Sequence, residues 1–242
     1  MRYAIISDIH SNRQALETVL EHITRLGIER IICLGDLVGY GGDPSACIDL
    51  VRGRCETVIM GNHDAAAVEL TPVEYFNPAA FWAALWTRGQ VSASEKEYLR
   101  GLPYTARFEG CCLVHSSPDS PESWRYLLTE DHAGPQFDFF PEPLLFFGHT
   151  HLPMAFIKAE SGAVSYSEER EIELEKNCRY LVNVGSVGQP RDGDPRASFG
   201  ILDTAERRVS ILREPYDILS AQRRIIEQGL PAVLAERLAC GS

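Results

Sequence analysis

The segment Ile31-Ile32-Cys33-Leu34-Gly35-Asp36 sets the frame for the rest of the chain. Four consecutive apolar residues followed by Gly35 read as a short buried strand, and Asp36 stands at its C-terminal tip. The same design occurs on either side: residues 3–7 lead into Asp8, and residues 57–60 lead into Asn62-His63. Asp8 to Asp36 is 28 residues and Asp36 to Asn62 is 26. Each interval is close to the ~30 residues of one strand-helix-strand unit. Strands joined in this way run parallel, so their C-terminal tips share one edge of the sheet, where open α/β sheets bind ligands. Asp36 is the middle of that row and can reach a cation on either side.

The connections support this frame. Ser11 or Asn12 can cap a helix whose apolar positions Leu16, Val19, Leu20 and Ile23 recur at 3–4 spacing, with Gly27 as its stop. Gly39 to Pro44 is a glycine-rich loop without the G-K-[ST] ending of a P-loop, and Asp43 or Ser45 caps the short helix after it. Residues 65–102 read as two or three helices inserted as a small cap. Their aromatics Tyr75, Phe76, Phe81, Trp82 and Trp86 form either core packing or a substrate wall. Residues 104–116 read as a hairpin around Glu109-Gly110, and 117–143 as a surface excursion. Leu144 to Phe147 is a further buried strand, opening into Gly148-His149-Thr150-His151. Beyond it the pattern is β-like through residues 154–158, 163–167, 170–174, 180–184, 198–203 and 207–212, then helical over 217–240 with a break at Gly229 and Pro231. The order βαβαβ, then helices, then many strands predicts an α/β protein. It is a four-layer α-β-β-α sandwich of two mixed sheets packed face to face, helices outside, with residues 1–242 as one domain.

Composition narrows the function. A net charge of −11 opposes a grip on a long nucleic-acid backbone or an anionic membrane. It does not oppose a small phosphorylated substrate, because bound divalent cations reverse the local field. The cysteine count is odd (seven), with no C-x-x-C, which fits a reduced, cytoplasmic setting better than a disulfide framework. Asp8 interrupts the N-terminal stretch too early for a leader, and no apolar run reaches 18 residues.

Five of the seven histidines, His10, His63, His115, His149 and His151, fall at or just after a predicted strand end. Buried polar groups need partners. Eight groups at one sheet edge (these five with Asp8, Asp36 and Asn62) satisfy one another best through metal ions. The donors are imidazole, carboxylate and amide oxygen without thiolate, which favours a catalytic site with open positions over a structural zinc. They are too many for one ion. Two ions ~3.5–4 Å apart sharing a carboxylate would use them.

In order along the chain, Asp8-x-His10, Gly35-Asp36-x-x-Gly39, Gly61-Asn62-His63-Asp64, His115 and Gly148-His149-x-His151 resemble the calcineurin-like metallophosphoesterase family. Asn183-x-Gly185-Ser186-Val187-Gly188-Gln189-Pro190-Arg191 resembles its small bacterial phosphodiesterase branch, and also a retromer subunit that uses the fold as a scaffold. The resemblance implies a hydrolase of phosphodiesters or phosphomonoesters, nucleotides included, working by in-line attack of a hydroxide shared by two ions. Manganese is the expected metal, with iron, zinc, nickel and cobalt compatible. It implies Asp8, His10 and His151 on one ion, Asn62, His115 and His149 on the other, and Asp36 bridging. His63 would protonate the leaving oxygen. Asp64 either holds that imidazole or caps the helix after it. Arg191 clamps a phosphate oxygen or pairs with Asp192 or Asp194, and Tyr40 lines the pocket or packs the loop. The competing reading is a non-catalytic scaffold that binds a protein partner. Loss of His63 would favour it, and His63 is present.

Overall fold

The computed structural model describes all residues, 1–242. In chain order the elements are β1 (Arg2–Ile6), α1 (Arg13–Arg25), β2 (Ile31–Cys33), α2 (Pro44–Arg54), β3 (Thr57–Val58), α3 (Asn62–Ala67), α4 (Pro78–Gln90), α5 (Ala93–Arg100), β4 (Thr105–Phe108), β5 (Cys111–Val114), α6 (Glu130–Ala133), β6 (Leu144–Phe147), β7 (Pro153–Lys158), β8 (Val164–Ser167), β9 (Glu171–Glu173), β10 (Arg179–Val184), β11 (Ala197–Asp203), β12 (Arg208–Glu214), α7 (Ile218–Glu227) and α8 (Ala232–Cys240). The strands form two six-stranded mixed sheets, ordered β3-β2-β1-β11-β12-β9 and β4-β5-β6-β10-β7-β8. The expected α/β sandwich of two sheets is therefore present.

Period-two alternation decides which side chains fill which layer. Tyr3 and Ile5 of β1 point between the sheets, where they meet Leu113, Phe146, Val182 and Leu202. Ala4 and Ile6 point the other way, into a core with Leu16, Val19, Leu20 and Ile23 of α1 and Cys47, Ile48 and Val51 of α2. The strip of α1 marked by its 3–4 spacing is the buried one. Asn12 caps that helix, accepting from the Ala15 amide at 3.1 Å.

The second sheet buries its outer face under residues expected to form a mere surface excursion. Leu127, Ala133, Phe137 and Phe140 cover Leu145, Phe147 and Phe156. The segment has few regular turns, so its periodicity is weak, but its aromatics supply the missing outer layer. Asp43 precedes α2 without a side-chain capping bond, and both its oxygens accept from Arg224 of α7. That pair fastens the C-terminal helices beside the glycine-rich loop, where Tyr40 packs among Ala221, Ile225 and Leu234.

Strand direction positions the site. β1 is parallel to β2 and β2 to β3 in the first sheet, and β5 and β10 are each parallel to β6 in the second. The C-terminal ends of these strands lead into Asp8, Asp36, Asn62, His115, His149 and the loop 185–191, and these meet along one edge.

Candidate metal centre and active-site cleft

Asp8, His10, Asp36 and His151 bring ligand atoms within 4.8 Å of one another, and Asp36, His115 and His149 form a second such group. Asp36 belongs to both. All six residues are buried, as is Asn62. Of the eight groups expected from the sequence at the sheet edge, the structure gathers six into these donor groups, and Asn62 and His63 line the same cleft with Asp36.

The histidines are oriented by backbone carbonyls. One ring nitrogen of each is spoken for: His10 Nδ1 by Val38 O at 3.2 Å, His115 Nδ1 by Leu34 O at 2.7 Å, His151 Nδ1 by Gln189 O at 2.6 Å, and His149 Nε2 by Trp124 O at 2.8 Å. A carbonyl only accepts, so the facing nitrogen carries the proton, and wherever the ring is neutral the other nitrogen presents a lone pair. His10 Nε2 and His151 Nε2 then face each other at 3.0 Å, and His151 Nε2 lies 3.3 Å from Asp8 Oδ1. His115 Nε2 stands 3.3 Å from Asp36 Oδ2. Asp36 Oδ2, Asn62 Oδ1 and His115 Nε2 are buried without a hydrogen-bond partner. Inward-facing lone pairs and orphaned oxygens on buried side chains are an arrangement that a cation satisfies. The donor set fits divalent metal.

The electrostatics are those of a crowded, buried cluster. Burial raises Asp8 to about 6, against the opposing pull of His115. Burial also acts to raise Asp36, but His115, His63 and His10 outweigh it and hold that carboxyl well below the usual range. Burial depresses His10 and His151, and lowers His149 to about 3 and His63 to about 4. His115 is the exception: burial pulls it down, but Asp36 and Asp8 carry it up to about 9.

The backbone around the cluster is strained. Asp8, His10, Asp36, Tyr40, His149 and His151 all have φ between 50° and 68°, in the left-handed region that non-glycine residues rarely enter. Such conformations cost ~1–3 kcal/mol each and persist only where the surroundings over-determine them. The surroundings here are specific. Ile9 and His10 amides both donate to Asp36 O, and Gly188 N and Ser186 Oγ donate to Asp8 O. Asn183 Nδ2 donates to Gly148 O at 2.7 Å and its Oδ1 accepts from Gly185 N at 2.8 Å. Two glycines are required by close approach. A Cβ on Gly61 would collide with the Asp36 carboxylate, and one on Gly39 (φ +94°) would lie 2.5 Å from His63 Nδ1.

Asp64 does not hold the His63 imidazole. Its Oδ1 accepts from the Leu37 and Val38 amides at 2.9 and 3.2 Å and its Oδ2 from Gly61 N at 3.0 Å, while His63 Nδ1 has no partner. Both carboxylate oxygens are spent on backbone, so Asp64 opens α3 and ties down the loop after Asp36. His63 is held otherwise: its amide donates to Asp36 Oδ1 at 2.8 Å, and its ring packs between Tyr40 at 4.4 Å and Phe76 at 5.1 Å. Tyr40 does both things weighed for it, packing against the C-terminal helices and lining the cleft. Arg191 pairs with neither Asp192 nor Asp194, which are taken by Arg213 and Arg196. It lines the cleft and donates to Gln189 Oε1 at 2.9 Å.

Above the cluster is a cleft of about 600 Å³, with Asp36, Asn62, His63, His149 and His151 at its floor. Of the cap aromatics, Tyr75 and Phe76 line it. Phe81 and Trp86 pack inward, and Trp82 is exposed. The opposite wall is Trp124 and Tyr126, the latter stacked on His149 at 4.1 Å. Neither was singled out from the sequence. The only local hint is Ser120-Pro121 just before them, and their approach to His149 is a long-range one.

Two sheets converge on a cluster of histidines and carboxylates able to hold metal beneath an open cleft. The comparison with known proteins makes this specific. Residues 1–207 match the Calcineurin-like phosphoesterase superfamily domain. An uncharacterized protein of Methanocaldococcus jannaschii, MJ0912, is 38% identical over 98% of this chain and 97% of its own length. Phosphodiesterase YfcE of Escherichia coli is 27% identical over 84% of this chain and 88% of its own. A metallophosphoesterase structure from Sphaerobacter thermophilus superposes with a TM-score of 0.88 at 39% identity, covering 100% of this chain and 99% of that one. The chain belongs to the calcineurin-like phosphoesterase superfamily, and it is a phosphoric ester hydrolase that depends on metal.

Proposed function

We propose that this chain, folded as one domain over residues 1–242 with the cap 65–102 inserted, is a two-metal phosphoesterase acting on a small phosphodiester or phosphomonoester. The observation that carries the reading is Asp36, whose carboxylate belongs to both donor groups at once. Asp8, His10 and His151 with Asp36 would hold one ion, and Asn62, His115 and His149 with Asp36 the other. When bound, two divalent ions supply Lewis-acid polarisation of a phosphoryl group and an acidified water as nucleophile. Manganese is the metal proposed, since carboxylate and amide oxygen suit it, and the imidazoles equally admit iron, zinc or nickel.

The chain's own residues do the rest. His63, wedged between Tyr40 and Phe76 beside the donor cluster, gives a proton to the leaving oxygen, and the negative charge of a bound phosphoester favours its protonated form. Arg191 reaches a phosphate oxygen from the far wall, and Tyr40 closes the space between Arg191 and His63. Phe76, Trp124 and Tyr126 exclude water and offer faces on which a nucleobase stacks, which favours nucleotides among the substrates.

The test is hydrolysis of bis(p-nitrophenyl) phosphate by metal-stripped chain with and without Mn²⁺. Turnover that appears only with metal supports the reading. Two ions bound with no turnover of any phosphoester overturns it and leaves a scaffold.

A further inference from the structure

We propose that Arg237 of α8 joins Arg191 in a second anion subsite around Tyr40, beside the cleft, so that the preferred substrate is a phosphoester carrying a second phosphate besides the one cleaved. This rests on the phosphoesterase reading for the place of the first phosphate.

Tyr40 is the hinge of the argument. Its ring lies 4.7 Å from that of His10 and 4.4 Å from that of His63, so it touches the donor cluster directly. The Arg191 and Arg237 guanidinium carbons lie 5.8 and 6.0 Å from the centre of the same ring. Two guanidinium groups thus share one aromatic ring, a single side chain away from the cluster. Arg237 is also beyond the residues matched by the family domain, which end at 207.

What these two arginines lack is an acidic side chain as partner. Acidic residues outnumber basic ones 34 to 23, so an Asp or Glu partner is easy to come by. The sheltered Arg213 has Asp192 and Asp194, and Arg224 has Asp43. No Asp or Glu oxygen approaches Arg191 or Arg237 to ion-pair distance. Arg191 spends one terminal nitrogen on Gln189 Oε1, and its Nε is buried without a partner. Arg237 donates from Nε to the main-chain oxygen of Ser242, the last residue of the sequence, and its two terminal nitrogens, the ones free to meet a ligand, have no protein acceptor. Burial and then the charge of Arg191 lower the Arg237 pKa, and Tyr40 and Tyr126 oppose them, so these four side chains feel one another across the rim.

Like charges drawn partly out of water without an anion between them are unfavourable. A phosphate removes that cost, since its oxygens accept from both forks at once. With the scissile phosphate over the metal cluster and one Arg191 nitrogen reaching it, a group held by Arg237 and the rest of the Arg191 fork is a second one, separated by a linker about the width of the Tyr40 ring. A nucleoside bisphosphate has that form, and its base would reach the aromatic walls.

The experiment is calorimetric titration of the Mn²⁺-loaded chain with thymidine 3′,5′-bisphosphate and with thymidine 5′-monophosphate. The bisphosphate is expected to bind at least about tenfold tighter, the effect of one charge-assisted hydrogen bond. Arg237→Ala removes that difference and Arg237→Lys keeps part of it. Arg223→Ala, an exposed cation on the neighbouring α7, leaves it unchanged. In turnover, thymidine 3′-phosphate 5′-(p-nitrophenyl phosphate) should show the same advantage in KM over thymidine 5′-(p-nitrophenyl phosphate). Equal affinity of wild type for the two ligands, or equal weakening of both by Arg237→Ala, overturns the subsite. Bis(p-nitrophenyl) phosphate separates the two readings. Bisphosphate preference without its hydrolysis sinks the catalytic reading alone, and hydrolysis without preference sinks the subsite alone.

Discussion

At the scale of single residues, each role predicts a different failure. His63→Ala should lower turnover by ~10²–10⁴-fold with metal content intact, since it removes a proton donor and no ligand. Metal analysis beside kinetics checks this, and lost metal would make His63 a ligand. Asp36→Ala should empty or weaken both sites together, because its carboxylate is the group the two donor sets share. Loss of only one ion would end its bridging role. The donors were readable in the sequence for a physical reason: each follows an apolar strand, and a buried polar residue there must find a partner. The duty of Asp64 was not, because whether a carboxylate bonds a ring or three amides depends on where Leu37, Val38 and Gly61 come to lie. Arg237 was equally hidden, since nothing near it in sequence points to Tyr40, nearly two hundred residues away.

At the scale of elements, the strained loop ends are held by a few hydrogen bonds, and Asn183 at the end of β10 is the most concentrated of these. Asn183→Ala should cost about 1–3 kcal/mol in denaturant unfolding, because it strands buried backbone groups of Gly148 and Gly185. It should also weaken metal binding through the 148–151 loop, which a purely structural residue would not do. The buried strands were legible as apolar runs, and α1 as a 3–4 stripe. β3 is shorter than the run 57–60 suggested: Ile59 N still donates to Cys33 O, but the Met60 amide donates to Pro103 O instead of the neighbouring strand. The layer over the second sheet was missed because its cover is short turns whose contacts follow no period.

At the scale of the whole molecule, both donor groups mix residues from the two sheets. Asp8 and Asp36 come from the first, His115, His149 and His151 from the second. Chelation should therefore lower the melting temperature of the entire chain by about 5–10 °C, the effect of ~2.7 kcal/mol at a hundredfold excess of ion over its dissociation constant in a protein this size. Scanning calorimetry with and without EDTA would show it, and a local change without a shift in melting would count against it. The packed side chains between the sheets then act as a shim. Stacked sheets stand ~10 Å apart, whereas metal-ligand bonds tolerate only about ±0.2 Å. A thicker filling, such as Ala155→Leu in the fully buried middle of that layer, costs about 1–3 kcal/mol. Its sharper mark should be a fall in metal affinity, which equilibrium dialysis would register. Evolution of this interior is thus tuned by a bond length measured at its rim.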